Sequence, residues 1–99
     1  MCNPPPQPKI ITWKVSPTLV KKNDTTGVFW NVINVIGCTV SGTNGDSWTT
    51  TTRGSSKGSE VSRGIIARTT YTLHCTPYRG ASWTDQTAVV NIVPIFQEQ

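Results

Sequence analysis

Residues 70–76, Thr-Tyr-Thr-Leu-His-Cys-Thr, alternate between apolar and polar side chains at every step. Tyr71, Leu73 and Cys75 fall on one side of the pattern, and the threonines and His74 fall on the other. A period of two residues is the pattern of a β-strand with one buried face. The stretch therefore predicts a strand whose aromatic, aliphatic and cysteine side chains point into a core.

Six further segments carry strand-like patterns. We predict strands at residues 10–16, 26–34, 36–41, 47–52, 65–68 and 86–93. Residues 42–46 are the strongest turn signal, because their Asn-Gly step tolerates positive φ. Residues 53–59, with the sequence RGSSKGS, are interpreted as a flexible loop. About seven short strands at this spacing predict an all-β fold in which two sheets bury their apolar faces against each other.

The predicted strands place a set of apolar side chains on their inward faces. These are Ile11, Trp13, Val15, Val28, Trp30, Val32, Cys38, Val40, Tyr71, Leu73 and Cys75. The composition agrees, since 18 Val and Ile residues stand against 2 Leu. β-branched side chains lose rotamer freedom in helices and pack well on sheets, which excludes helical bundles, coiled coils and Rossmann-type domains. Only 14% of the residues are charged, which excludes a disordered chain.

The charge pattern bears on the possible partners. The net charge is +4, from 9 Lys and Arg against 5 Asp and Glu. The basic residues are scattered singly apart from Lys21 and Lys22, whereas nucleic-acid-binding proteins concentrate their cations in a stripe with stacking aromatics. We therefore expect no nucleic-acid partner. No apolar stretch approaches the length of a membrane span, so we expect no membrane span.

The chain contains three cysteines, Cys2, Cys38 and Cys75. Cys38 and Cys75 fall in strand-like runs, and we expect one disulfide between them, which implies an oxidising compartment. Two buried reduced thiols are the alternative. A zinc site would have to combine the cysteines with His74 at no recognisable spacing. Cys2 is either a chance cysteine of a linker or the lipid-anchored first residue of a mature lipoprotein.

Both ends of the sequence have linker-like composition. Residues 1–9 are rich in proline, which favours extended polyproline geometry and a semi-rigid spacer. Pro94 cannot donate to a β-ladder, so strand pairing is expected to stop near it. We divide the chain into a linker at 1–9, a sandwich domain at 10–96 and a C-terminal linker at 97–99. This division suggests a module of a longer protein.

Four segments together resemble an immunoglobulin-like (Ig-like) domain. They are FWNV at 29–32, GCTVSG at 37–42, YTLHC at 71–75 and VVNIVP at 89–94. More narrowly, the chain is similar to the Ig-like domains that occur in tandem in large bacterial cell-surface and extracellular proteins. The resemblance spans residues 10–96 and implies an Ig-like β-sandwich of Greek-key type.

Two features depart from antibody-type domains, in which the core Trp follows the first Cys and a Tyr lies two residues before the second. Here Trp30 precedes Cys38. Tyr71 lies four residues before Cys75. Trp48 follows Cys38 and is an alternative core Trp. The disulfide therefore either bridges the two sheets or joins neighbouring strands, and a sandwich of the fibronectin or polycystic-repeat type stays open.

Candidate catalytic residues are few. The single histidine, His74, lies on the outer face of its strand, and no Gly-rich phosphate loop follows a strand and opens a helix. We expect no enzymatic activity, no metal and no cofactor. Some surface Ig-like domains contain a Lys–Asn cross-link formed beside a carboxylate, and Lys14, Asn91 and Glu60 are the residue types that such a bond requires.

Aromatic residues near turns are the better functional candidates. Trp48, Tyr78 and Trp83 flank predicted turns, where exposed rings can stack on sugars or on a partner. We predict a non-enzymatic extracellular or cell-surface module that acts as a spacer, adhesive unit or assembly unit. Its contacts with protein partners or other copies would use strand edges and loops. A carbohydrate-binding module that uses the three aromatic residues is the alternative, and a phage virion decoration domain is a further alternative.

Overall fold

The structure of the chain, a computed structural model, describes residues 5–94. Eight β-strands run through this region, with no helix among them: β1 (Lys9–Ser16), β2 (Leu19–Val20), β3 (Gly27–Ile33), β4 (Val35–Gly42), β5 (Ser47–Thr50), β6 (Ser55–Val61), β7 (Thr69–Pro77) and β8 (Gln86–Ile92). The described residues accordingly contain no helix that is long and apolar enough to cross a membrane. Cys2 and the predicted C-terminal linker at 97–99 lie outside the described residues.

The strands form two sheets, which confirms the predicted all-β fold with two packed sheets. A three-stranded sheet has the order β1-β3-β6, and a five-stranded sheet has the order β2-β8-β7-β4-β5. All neighbouring pairs are antiparallel except β2 and β8, which run parallel. The apolar faces of the two sheets meet in one core, because each strand alternates between buried and exposed positions.

The predicted inward faces of three long strands are buried. The side chains concerned are Val28, Trp30 and Val32 of β3, Cys38 and Val40 of β4, and Tyr71, Leu73 and Cys75 of β7. The prediction fails in part on β1, where Ile11 is 50% exposed. The pairing of β1 with β3 shifts register between Ile10 and Thr12, and the extra residue turns its side chain out of the core.

Two segments differ from the prediction. Residues 53–59 are not a loop, because Ser55–Val61 form β6 and pair with β3 along their whole length. The inward positions of β6 hold Ser56 and Gly58, so the segment lacks the apolar alternation that identifies a strand. Residues 65–68 are not a strand. Ile65 is buried there, and its backbone groups bond to the turn at Asn23 and Asp24 instead of to a ladder.

The two-residue strand β2 was not predicted, and it brings the number of strands to eight. It is too short to show a periodicity in the sequence. Its place is fixed by backbone hydrogen bonds to β8, in which Asn91 N donates to Thr18 O and Val93 N donates to Val20 O. The prediction for β8 itself holds to within one residue.

The chain crosses between the sheets at Asn34, which is the single residue between β3 and β4. Asn34 has a φ of 65°, in the left-handed region that asparagine tolerates better than most residues. Its side-chain amide donates to the backbone carbonyl of Gln7 over 3.1 Å. Gln7 Oε1 in turn accepts from the backbone N–H of Ser82 over 3.2 Å. The proline-rich segment is thereby fastened to the end of the sandwich at residue 7.

Candidate functional site

Cys38 and Cys75 form a disulfide, as predicted. The two residues face each other in the register of β4 and β7, with their Cα atoms 3.9 Å apart. Both are buried. The bond therefore joins neighbouring strands of the five-stranded sheet and does not bridge the two sheets. Because the two sulfur atoms are bonded to each other, they are not zinc ligands.

Trp48 is the central ring of an aromatic stack. Its ring centroid lies 6.4 Å from that of Trp30 and 6.1 Å from that of Tyr71, with interplanar angles of 24° and 19°. The register partner of Trp48 on β4 is the fully buried Val40, so the indole points between the sheets. Trp48 stays partly exposed because β5 is the edge strand of its sheet. Trp48, which the sequence places beside a turn, thus lines the open side of the core.

This open side lies between the edges of the two sheets, and we call it the β5–β6 seam. The hydroxyls of Thr50 on β5 and Ser56 on β6 contact each other across it. The indole N–H of Trp30 donates to Thr50 Oγ1 over 3.4 Å. Gly58 on β6 lies directly over the six-membered ring of Trp30, which leaves no room for a Cβ atom. Trp48 is thus the partly exposed ring at the seam.

Tyr78 and Trp83 lie elsewhere, in the connection between β7 and β8. The guanidinium of Arg53 lies 4.8 Å from the centre of the Tyr78 ring, a cation–π contact that fastens the β5–β6 connection to the β7–β8 connection. Trp83 packs partly against the core. Its indole N–H donates to Asp85 Oδ1 over 2.8 Å. The structure therefore separates Trp48 from the other two predicted contact residues.

His74 and Asp85 form an exposed pair beside Trp83. His74 Nδ1 lies 2.7 Å from Asp85 Oδ1. The hydrogen bond from His74 and the one from Trp83 outweigh the small effect of burial and hold the pKa of Asp85 below its ordinary value. A groove of about 180 Å³ lies next to this pair, and its walls include Thr39, Thr49 and Thr76. The arrangement offers carboxylate, imidazole and hydroxyl groups at one surface, all suited to hydrogen bonding.

Asp46 forms a polar cluster at the other end of the sheet, and the preceding Asn-Gly turn is the only signal for it in the sequence. The residue is 8% exposed. Its carboxylate accepts hydrogen bonds from the Tyr71 hydroxyl at 2.8 Å, the Asn44 amide at 3.0 Å and Arg63 Nε at 3.0 Å. The cluster links the β4–β5 turn, β7 and the segment after β6. Because these bonds tie three separate segments to one buried carboxylate, the cluster has a structural role.

The same cluster shifts the pKa values of Asp46 and Tyr71. Burial by itself raises the pKa of Asp46, but the hydrogen bonds from Tyr71, Asn44 and Arg63 together outweigh it and hold the pKa below its ordinary value. Burial and the bond to Asp46 raise the pKa of Tyr71 to about 12. The folded state therefore favours an ionised carboxylate beside a neutral phenol.

The residue types required for a Lys–Asn cross-link are not brought together. Lys14 on β1, Glu60 on β6 and Asn91 on β8 are all exposed. Asn91 belongs to one sheet, and the other two residues belong to the opposite sheet. Among residues 5–94, no group of three or more His, Cys, Asp or Glu side chains is placed to share a metal ion.

Comparison of the chain with family models, with curated proteins and with solved structures found no match in any of the three.

Proposed function

We propose that the chain is an Ig-like β-sandwich module with a non-enzymatic structural or adhesive role in an extracellular or cell-surface protein. The observation that carries this proposal is the strand order of the two sheets. In Ig sandwiches, strands A, B and E share one sheet, and strands C, F and G share the other. β1, β3 and β6 match the first set, and β4, β7 and β8 match the second.

The remaining strands support a particular variant of this topology. β5 pairs with β4 at the position of strand C′. No strand at the position of D pairs with β6 among the described residues, so β6 forms a sheet edge. We propose that this Greek-key arrangement is the one found in tandem Ig-like domains of bacterial surface proteins.

The presence of the disulfide supports an extracellular or cell-surface location for the protein. A disulfide between two buried cysteines persists where the surroundings are oxidising. The expected contacts are with protein partners or other copies of the chain, through strand edges and loops. Decoration of a phage virion would be one form of such assembly, with a capsid as the partner.

A non-reducing peptide map of protein purified without reductant tests this proposal, together with sedimentation velocity over a range of concentrations. We expect a linked peptide containing Cys38 and Cys75, and either self-association or binding to a protein partner. Free thiols at Cys38 and Cys75 in protein from its native compartment would contradict the proposed location. An experimentally determined structure with a different strand order would contradict the Ig-like topology.

A carbohydrate-binding role is the second candidate, and the Trp83–Asp85–His74 arrangement favours it. Sugar sites commonly combine an aromatic face with side chains that both donate and accept hydrogen bonds. We expect polysaccharides to change the tryptophan fluorescence of the wild type and not that of Trp83→Ala, with Trp48→Phe as the matched control. No change across a broad panel of glycans would remove this candidate.

A further inference from the structure

We propose that β6 is a docking edge, at which an extended segment of a partner protein adds as a further strand of the β1-β3-β6 sheet. This inference rests on the proposed role in assembly and specifies its site. A sheet edge presents unpaired backbone N–H and C=O groups, and strand addition satisfies them. Of the sheet edges in residues 5–94, β6 is the one best suited to such a partner.

The four edge strands differ in length and regularity. β2 has two residues and β5 has four, which limits the ladder that either can form. β1 has eight residues, but its register shift between Ile10 and Thr12 interrupts a regular edge. β6 has seven residues and pairs with β3 without a register shift. β6 is therefore the longest regular edge in residues 5–94.

The hydrogen bonds that flank β6 show which of its backbone groups face outward. Asn34 N donates to Gly54 O at one end, and Ser62 N donates to Thr26 O at the other. Backbone groups of an antiparallel strand alternate in direction, so residues 56, 58 and 60 bond to β3. The N–H and C=O groups of residues 55, 57, 59 and 61 then point to the edge, where a partner strand can reach them.

The outer face of β6 defines the chemistry of one side of the partner strand. Because Ser56 and Gly58 face the core, Lys57, Ser59 and Val61 face outward. Val61 is 68% exposed. Within the described residues, the Lys57 ammonium makes no ion pair. A partner strand would therefore place an acidic side chain opposite Lys57 and an apolar side chain opposite Val61, about four residues apart.

The β5–β6 seam defines the chemistry of the side of the partner strand that faces the core. Gly58 has no side chain, and it lies over Trp30, which stacks on the partly exposed Trp48. An apolar side chain opposite Gly58 would point inward and cover the exposed part of Trp48. Burial of such a surface stabilises binding, and aromatic rings are frequent anchors of interfaces. The partner is thus an extended segment with an acidic residue, an inward apolar neighbour and an outward apolar residue further along.

A second copy of β6 fits this edge less well than such a segment. The outward residues of β6 are Ser55, Lys57, Ser59 and Val61, and none of them is acidic. Pairing of two β6 strands therefore gives Lys57 no opposite charge in any register. The net charge of +4 adds long-range repulsion between copies and attraction toward an acidic partner.

The test uses synthetic, fluorescently labelled peptides of about nine residues, with Asp at the position opposite Lys57, Val at the positions opposite Gly58 and Val61, and Thr elsewhere. We expect the wild type to bind this peptide, and Ser59→Pro to bind it at least about tenfold more weakly. Proline at position 59 removes an N–H that faces the edge and leaves the ladder with β3 intact. Ser59→Ala is the matched control and should bind like the wild type.

A charge exchange tests the same edge without a proline. Lys57→Glu should lose binding to the Asp peptide and gain binding to a peptide with Lys in its place. Absence of binding to any peptide of the series, with the disulfide and sandwich fold intact, would overturn the docking edge and leave the proposed module unaffected. Concentration-dependent dimers that Ser59→Pro abolishes would overturn the partner segment, because a second copy would then be the occupant.

Discussion

At the scale of single residues, the close contact between Gly58 and Trp30 determines how β6 fits on the sandwich. The largest buried side chain of the core lies under a strand position that has no side chain. Without a Cβ atom at position 58, the backbone of β6 approaches the indole ring closely. Gly58 is one reason why the sequence of β6 is typical of a loop, and the same residue allows the strand to lie against the Trp30 ring.

We predict that Gly58→Ala destabilises the fold by about 1–3 kcal/mol. The added methyl group would overlap the Trp30 ring, so either the ring or the strand has to move. Equilibrium unfolding in urea measures the effect. Ser59→Ala, at an exposed position of the same strand, is the control and should stay within about 0.5 kcal/mol of the wild type. Equal stabilities for the two variants would contradict the contact.

Tyr71 makes the free energy of unfolding depend on pH in the alkaline range. Its pKa is about 12 in the folded chain and 10.0 in the absence of the fold. The unfolded chain therefore loses the phenol proton first as the pH rises. The contribution of Tyr71 to the free energy of unfolding is complete below about pH 10 and is lost as the pH rises toward about 12. The whole contribution amounts to about 3 kcal/mol.

Urea unfolding of the wild type and Tyr71→Phe over this pH range checks the prediction. We expect the stability of the wild type to fall more steeply with pH than that of the variant. Tyr78→Phe is the control, and it should retain the steep dependence. The same slope in wild type and Tyr71→Phe would show that Tyr71 does not cause it.

At the scale of the strands, the sequence predicts those whose inward residues are apolar. Residues 70–76 alternate because β7 lies in the middle of the five-stranded sheet, where one of its faces is fully covered. The alternating pattern does not predict β6 or β2, because β6 has Ser and Gly on its inner face and β2 spans only two residues. Their positions depend on partners that are distant in the sequence, which a local pattern does not encode.

The disulfide acts at the same scale, since it fastens β4 to β7. Cys38 and Cys75 are 37 residues apart in the sequence, and closing a loop of this length restricts the unfolded chain. We predict that the double substitution Cys38→Ala and Cys75→Ala, in a Cys2→Ser background, lowers the free energy of unfolding by about 2–4 kcal/mol.

Urea denaturation measures this loss against the Cys2→Ser background alone. The slope of the free energy with urea should also increase, because the uncrosslinked chain exposes more surface when unfolded. Unchanged stability and slope would show that the bond adds nothing to the pairing of the two strands. The proposed location would then lose part of its physical rationale, because the fold would not need an oxidising compartment.

At the scale of the whole molecule, the disulfide and the two sheets could be predicted, but the surface proposed for docking could not. Trp48, Tyr78 and Trp83 are alike in the sequence because all three flank turns. Their different surroundings arise from the sheet order, which places Trp48 between the sheets and the other two in the β7–β8 connection. Sheet order is a long-range property, so the seam beside β6 becomes visible only in the assembled fold.

The attachment of the proline-rich segment also belongs to this scale. We predict that Gln7→Ala accelerates hydrogen exchange of the Ser82 amide about fivefold, because its acceptor is removed. Amide exchange followed by nuclear magnetic resonance measures the rate. Gln7→Glu keeps an oxygen acceptor and should exchange at nearly the wild-type rate. If Gln7→Ala leaves the rate of the Ser82 amide unchanged, the segment does not hold the β7–β8 connection.

The parallel pairing of β2 with β8 has a consequence for biosynthesis. β2 leaves the ribosome early, but its hydrogen-bond partner is the last strand of the described chain. The five-stranded sheet therefore cannot be completed until Gln86–Ile92 have been translated and released from the exit tunnel. Until then β7 lacks its neighbour on one side, and the nascent chain carries an unfinished sheet. Native assembly of the five-stranded sheet thus has to wait until β8 is available to pair with both β2 and β7.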